Sequence, residues 1–237
     1  MSKPYEQHIP IIALDGSHRS GKGTQANILK ERFQRAGLHP HVMRGDGSRP
    51  GLGDHEDDPS SEWWRNFKEH IKGFENEYDA WRIGARRLLG EVAVKCSDLI
   101  ADPKAIILLD RSQLSRIQMT MKEGLEPTFE NMYRNVGNDT IEDSNIRLLS
   151  PDLIIYLHVP TNVLLKRLTT DDPKYEFRHN NILQSANYYE EAFANLKKQN
   201  NEVVRINGDQ DIQTIEKTVA NVIMDKNIFD SKGFMND

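Results

Sequence analysis

With one cysteine and no long apolar run, the chain is cut off from several classes of protein at once. Cys96 cannot close an internal disulfide, which excludes a disulfide-stapled scaffold. Within "VAVKCSDLI" it reads as a small buried hydrophobe, the other option being a reactive thiol. No stretch approaches the ~18 apolar residues of a membrane span, so no membrane partner is expected. The segment "MSKPYEQHIP" has no apolar core, so no secretory signal is expected and the setting is expected to be cytoplasmic. The 8 histidines include no pair at metal-ligand spacing, and His39 and His41 open a strand. Against 36 acidic residues stand 31 basic ones, a net charge of -5. That balance argues against nucleic-acid binding through the whole surface but permits a local basic pocket for a small phosphorylated ligand.

What is present alternates. "IPIIALD" is a continuous apolar run, as expected of a strand covered on both faces. "GKGTQANILKERFQRAG" follows as a helix with Ile28, Leu29 and Phe33 on one stripe and Gly37 as its stop. "HPHVMR", "KAIILLD", "PDLIIYLHV" and the weaker "EVVRIN" read as four more strands. "TNVLLKRL", "NILQSANYYEEAFANLKKQN" and "IQTIEKTVANVIM" read as helices between and after them. A loop of Gly, Pro, Asp and Ser follows the second strand, then an amphipathic stretch from Glu62 to about Leu99, broken at Gly73. No repeat or low-complexity segment is visible. The pattern predicts a single α/β domain over 1–237, a parallel five-stranded sheet flanked by helices, with a small lid at about 169–180 and a poorly ordered tail at about 226–237. In such sheets ligands bind beyond the carboxyl ends of the strands. Those ends carry Asp15, Arg44 and the pair Asp110-Arg111.

The stretch "GSHRSGKGTQ" follows the first strand and opens the first helix. Gly16-x-x-x-x-Gly21-Lys22 has the spacing of a phosphate-binding loop. The amides of Gly16, Ser17, His18, Ser20, Gly21 and Gly23 are candidates to surround phosphate oxygens, because helix N-terminal N–H groups lack intrahelical partners and the dipole favours anions there. Lys22 would place its charge on the β- and γ-phosphates. Gly23 stands where the usual pattern has Ser or Thr. "SGKGTQ" resembles the loop of nucleotide kinases, in which adenylate kinases also carry Gly after the lysine, so Thr24 would supply the hydroxyl to phosphate. Without a hydroxyl at position 23, Mg²⁺ accompanying ATP would be held mainly through phosphates and water. The loop points to a P-loop NTPase three-layer fold.

Several motifs in order resemble the thymidylate kinase family. "LDGSHRSGKGTQ" is similar to its phosphate loop, in the form with an internal arginine, here Arg19. "MRGDG" resembles its Arg-Glu-Pro-Gly segment, with Arg44 as the arginine. "LLDRSQLS" resembles its Asp-Arg motif, giving Asp110, Arg111 and Ser115. "SPDLIIYLHVPTNVLLKRL" and "YEFRHNNILQSANYYEEAFANL" are similar to its fourth strand, lid and following helix. The similarity spans most of Ile9 to Ile223.

The resemblance implies roles that the residue chemistry supports. Asp110 would orient Mg²⁺ or its waters; its other reading is a helix N-cap. Arg111 and Arg44 would grip the acceptor phosphate, or else form surface ion pairs. Arg19 would stabilise charge on the transferring phosphoryl, or else be a solvent-facing loop charge. Arg178, with Lys174 and Arg167, would close lid charge over ATP, or else stay solvated. Tyr78 would stack on the acceptor base and Arg82 bond to it, four residues apart on one helix face, with Arg86 as the alternative arginine; the other reading makes Tyr78 and Trp81 core residues. Trp63, Trp64 and Phe67 read as packing over that pocket. Asp15, Ser115 and Gln118 complete the candidate acceptor site. His18 replaces an acidic residue the family tends to carry, the Gln-Gly-x-Gly-Arg segment is replaced by "IQMTMKEGLEP", and the Arg-Glu-Pro-Gly segment is degenerate.

The leading expectation is a nucleoside monophosphate kinase that uses Mg-ATP and a deoxynucleoside monophosphate, dTMP first, and that could form a homodimer as family members often do. The alternative is a deoxynucleoside kinase, since "DRSQLS" also resembles that family's Glu-Arg-Ser motif and Asp15 stands where its base would be. A nucleotide-dependent switch without transfer is the third reading, for which no guanine-specifying segment is found.

Overall fold

The structure, a computed structural model, describes residues 9–44, 82, 86, 99, 101–133, 150–172, 174–199 and 201–228. The elements run β1 (Ile11–Asp15), α1 (Lys22–Arg35), β2 (His39–Arg44), β3 (Ala105–Asp110), α2 (Gln113–Lys122), α3 (Phe129–Met132), β4 (Leu153–His158), α4 (Thr161–Lys166), α5 (Tyr175–Lys198), β5 (Val203–Asn207) and α6 (Ile212–Asp225). The five strands form one sheet in the order β2-β3-β1-β4-β5, and every pairing is parallel. All five strands fall inside the stretches read as strands from the sequence.

Strand residues alternate between two cores. Ile11, Ala13, Ile107, Leu109, Ile154 and Tyr156 face the cluster built with Leu114 and Ile117 of α2 and Tyr189, Ala192 and Leu196 of α5. Ile12, Leu14, Ile106, Leu108, Ile155 and Leu157 face the cluster built with Ala26, Leu29 and Phe33 of α1 and Ile215, Val219 and Ile223 of α6. A period of two on strands covered on both faces makes each run apolar throughout. Ile28, expected on the buried stripe of α1, is only half-buried; Gln25, Ala26, Leu29, Arg32 and Phe33 form the inner face.

Two boundaries differ from expectation. The long helix begins at Tyr175 rather than Asn181, so the second half of the expected lid is helical. Tyr175 lies seven residues before Ile182 on the same face and packs with it against Val159, Leu164 and Leu168, which carries the helix back into the lid. After α6, Ile228 packs partly buried against the α1–α6 core, so the first residues of the expected tail are docked; 229–237 lie outside the described residues.

The central strand ends in a polar clip. Asp15 is fully buried, and its carboxylate accepts five hydrogen bonds. Oδ1 accepts from the Gly16 amide (2.8 Å) and the Ser115 hydroxyl (2.6 Å). Oδ2 accepts from the Ser112 amide and hydroxyl (both 2.8 Å) and the Ser115 amide (3.1 Å). Since β1 and β3 are neighbours in register, with Leu14 beside Asp110, one side chain ties the start of the glycine loop to the first turn of α2. Burial pushes the Asp15 carboxyl above its ordinary value, opposed by the Ser115 hydrogen bond, the Arg111 charge, the Ser112 hydrogen bond and the Lys22 charge. Replacing Asp15 with alanine strands several buried donors and is expected to cost about 3 kcal/mol or more in urea unfolding. Asn27→Ala on the exposed face of α1 is expected to cost less than about 0.5 kcal/mol. Equal losses in the two variants would contradict the clip.

Candidate active site

The glycine loop owes its shape to residues that tolerate or are forced into unusual backbone angles. Gly16 has φ 143°, and a Cβ there would lie 2.6 Å from the Leu157 carbonyl oxygen and 2.9 Å from Ser20 Oγ. Gly21, φ 96°, caps α1; positive φ costs glycine little. Gly16, Ser17 and Ser20 are buried, His18 is half-buried and Arg19 is exposed. Gly23 and Thr24 are exposed in the first turn of α1. Lys22 is buried and folds back over the loop, donating to the carbonyls of Gly16 (2.9 Å) and Ser17 (2.8 Å). Its ammonium thus stands inside the curve of the loop, where the sequence motif puts it.

Only three described non-glycine residues have positive φ, and two of them are arginines of the predicted site: Arg19 at 64° and Arg111 at 74°. A residue with a Cβ pays roughly 1–2 kcal/mol for that conformation, and such strain concentrates where geometry is functional. Arg111 is held by its amide, which donates to the Leu14 carbonyl (2.8 Å), and by Nη1, which reaches Ser115 Oγ and Tyr189 Oη (both 3.4 Å). Ser115 and Tyr189 in turn share a hydrogen bond (3.1 Å). Arg111 and Lys22 both act electrostatically on Asp15, so the loop and the Asp-Arg pair occupy one rim of the sheet.

Asp110 is buried at the end of β3, and the helix that follows is capped by Ser112, whose hydroxyl accepts from the Leu114 amide (3.3 Å). The N-cap reading of Asp110 is therefore corrected. Ser115, read from sequence as an acceptor contact, is engaged by Asp15, Tyr189 and Arg111. Gln118 is buried on α2 three residues further on. Arg82 is helical and donates to the Glu130 carbonyl (2.8 Å), and Arg86, one turn on, is buried. Arg44 ends β2 opposite Asp110; its side chain, Tyr78, Trp81, Trp63, Trp64, Phe67 and Cys96 lie outside the described residues.

The lid arginines are not simply solvated. Arg167 donates to the carbonyls of Arg19 (3.4 Å) and Gly208 (2.9 Å), bridging the glycine loop and the turn after β5. Arg178 pairs with Asp172, and so does Arg19. Asp172, Tyr189 and Ser112 are the residues that sequence reasoning passed over. A signal existed for Ser112, a hydroxyl directly before a helical pattern; nothing local marks the other two. The Lys174 amide, then Arg19 and Arg178, hold the Asp172 carboxyl down at about 2. A folded value below the unfolded one stabilises the fold above the ordinary carboxylate range and loses that contribution as pH falls towards 2. The stability difference between the wild type and Asp172→Asn is expected to be constant from about pH 7 to 5 and to shrink below about 4; a difference that grew in acid would contradict the pairing.

No protein-family model matches the chain. It is similar to a "putative thymidylate kinase" of Aeropyrum pernix, with 24% identity over 204 residues, 84% of this chain and 85% of the relative. Its fold is similar to that of the thymidylate kinase from Candida albicans, with a TM-score of 0.59 and 20% identity over 97% of this chain and 96% of the other. Together with the glycine loop and the Asp-Arg pair at the neighbouring strand end, the chain is thus similar to thymidylate kinases, in sequence over most of its length and in fold over nearly all of it.

Proposed function

We propose that the chain transfers the γ-phosphoryl group of ATP to a nucleoside monophosphate, with dTMP the first substrate. The observation that carries this reading is the single rim on which Asp15 gathers the Lys22 loop and Arg111. Two polyanions must be brought end to end for direct transfer, and each needs its own cations. Lys22 and the loop amides fit the ATP phosphates; Arg111, joined by Arg44, fits the acceptor phosphate. A phosphate acceptor is already nucleophilic, so the residues orient and neutralise rather than abstract a proton.

The donor set suits a metal that arrives with the nucleotide. Gly23 offers no hydroxyl, and Asp110 is a second buried carboxylate at the rim, beside Asp15 with its five hydrogen bonds. When bound, Mg²⁺ would neutralise phosphate charge, with Asp110 holding it through water. Among the described residues no group of three or more His, Cys, Asp and Glu gathers as a metal site, and no helix is long and apolar enough to cross a membrane.

The deoxynucleoside kinase reading requires Asp15 as a base. Its carboxylate already accepts five hydrogen bonds, against about four lone-pair sites on a carboxylate. That favours the monophosphate as acceptor. The described relative from Candida albicans is characterised by broad substrate specificity, so the acceptor is best tested with a panel. With Mg-ATP and all common nucleosides and their monophosphates, ADP formation is expected with dTMP and not with thymidine; the reverse would overturn the proposal. Lys22→Ala is expected to lower turnover by about 100-fold or more in protein that still folds, and a folded variant with wild-type turnover would sink every role given to the loop.

A further inference from the structure

The ion pairs between the glycine loop and the lid converge on one oxygen atom. Oδ2 of Asp172 accepts from Nη2 of Arg19 and from Nη1 of Arg178. The carboxylate is itself fixed. Its Oδ1 accepts from the Lys174 amide (2.9 Å), its own amide donates to the Thr169 carbonyl (3.1 Å), and its carbonyl accepts from the Tyr175 amide (2.9 Å). The Asp172 side chain is 2% exposed, whereas Arg19 and Arg178 are 40% and 31% exposed. A rigid, shielded acceptor therefore holds two guanidinium groups whose other faces reach solvent at the mouth of the loop.

We propose, resting on the kinase reading above, that Asp172 is a positioning residue for phosphoryl transfer, converging Arg19 and Arg178 on the same point. Two guanidinium groups sharing one oxygen are close enough to repel each other strongly in a partly shielded site. The carboxylate between them offsets that repulsion and removes the rotamer freedom of two long side chains. Arg19 gains most, because its backbone sits at a positive φ that its side-chain pairing and the Arg167 contact to its carbonyl help to maintain. The same negative charge lies beside the place proposed for a polyanion, so it opposes nucleotide binding while it orders the arginines. Orientation and affinity are thereby set against each other at one residue.

That opposition gives the test its shape. Asp172→Asn keeps the size of the side chain and an acceptor for the Lys174 amide but removes the charge. It is expected to lower kcat by about 10-fold or more, as loss of orientation does, while KM for ATP stays level or falls. A merely structural residue would instead raise KM while leaving kcat close to the wild-type value. In a protein already carrying Arg19→Ala and Arg178→Ala, adding Asp172→Asn is expected to change kcat by less than about 2-fold, because its partners are gone. The proposal is overturned by an unchanged kcat in the single variant, by an equal further drop in the double-arginine background, or by a raised KM at unchanged kcat. Wild-type protein that forms no ADP with any monophosphate would instead overturn the kinase reading on which the role rests; activity in the wild type with indifference at position 172 overturns this role alone.

Discussion

A carboxylate at the end of the central strand organises this molecule. Asp15 is surrounded by donors from two places far apart in the chain: the first residue of the glycine loop, and Ser112 and Ser115, roughly a hundred residues on. The sheet alone would set β1 beside β3, but parallel pairing leaves the loops beyond the strands to find their own positions. The clip removes that freedom. It fixes the distance between the glycine loop and Arg111, the two places proposed to meet phosphates. Burying a charged group at such a place is costly unless every lone pair is used, and here each is.

The same constraint explains why strain is tolerated at Arg19 and Arg111. Both carry a Cβ at positive φ, a conformation that a flexible loop would relax. Arg111 follows a strand in register, with its amide bonded to Leu14 and its guanidinium bonded to Ser115 and Tyr189. Arg19 is bracketed by Arg167 on its carbonyl and Asp172 on its guanidinium. In each case the neighbours over-determine the backbone, so the strain is held rather than released. Tyr189 and Arg178 both come from α5, so the helix that covers one face of the sheet bonds Arg111 directly and meets Arg19 through Asp172.

Much of this was legible in the residues. The three central strands could be read because continuous Ile and Leu runs have few other uses in a polar chain, the outer two from their place in the alternation with helices, and the loop because its glycine spacing, strand and helix occur together. What was not legible is the wiring between those pieces. Asp15 reads locally as a strand-end acid free to meet a ligand; only the β1–β3 register turns it towards Ser112. Asp172 lies in "TTDDPKYEFR", and nothing nearby distinguishes it from Asp171. Its role depends on Arg19, 153 residues away, and a pairing at that separation leaves no periodic or compositional trace. The start of α5 failed to appear for a related reason: Tyr175 looks like a loop residue until Val159, Leu164 and Leu168 supply the surface it packs on.

The two carboxylates whose hydrogen-bond partners the sequence does not reveal also differ in their electrostatics, and the difference follows from those partners. Asp15 accepts from amides and hydroxyls in a fully buried position, and there burial prevails and raises its proton affinity. Asp172 accepts from an amide and two cations, and its proton affinity falls to about 2. A neutral donor stabilises a carboxylate less than a guanidinium does, so the first site needs many donors to hold its geometry and the second needs few. The first is suited to a permanent join between strand ends, since nothing that binds at the rim need displace an amide. The second is suited to a contact that incoming phosphate oxygens can share, because phosphate and carboxylate compete for the same guanidinium faces. In the proposed reaction one carboxylate would fix where the two anions lie, and the other would set how their charges are met.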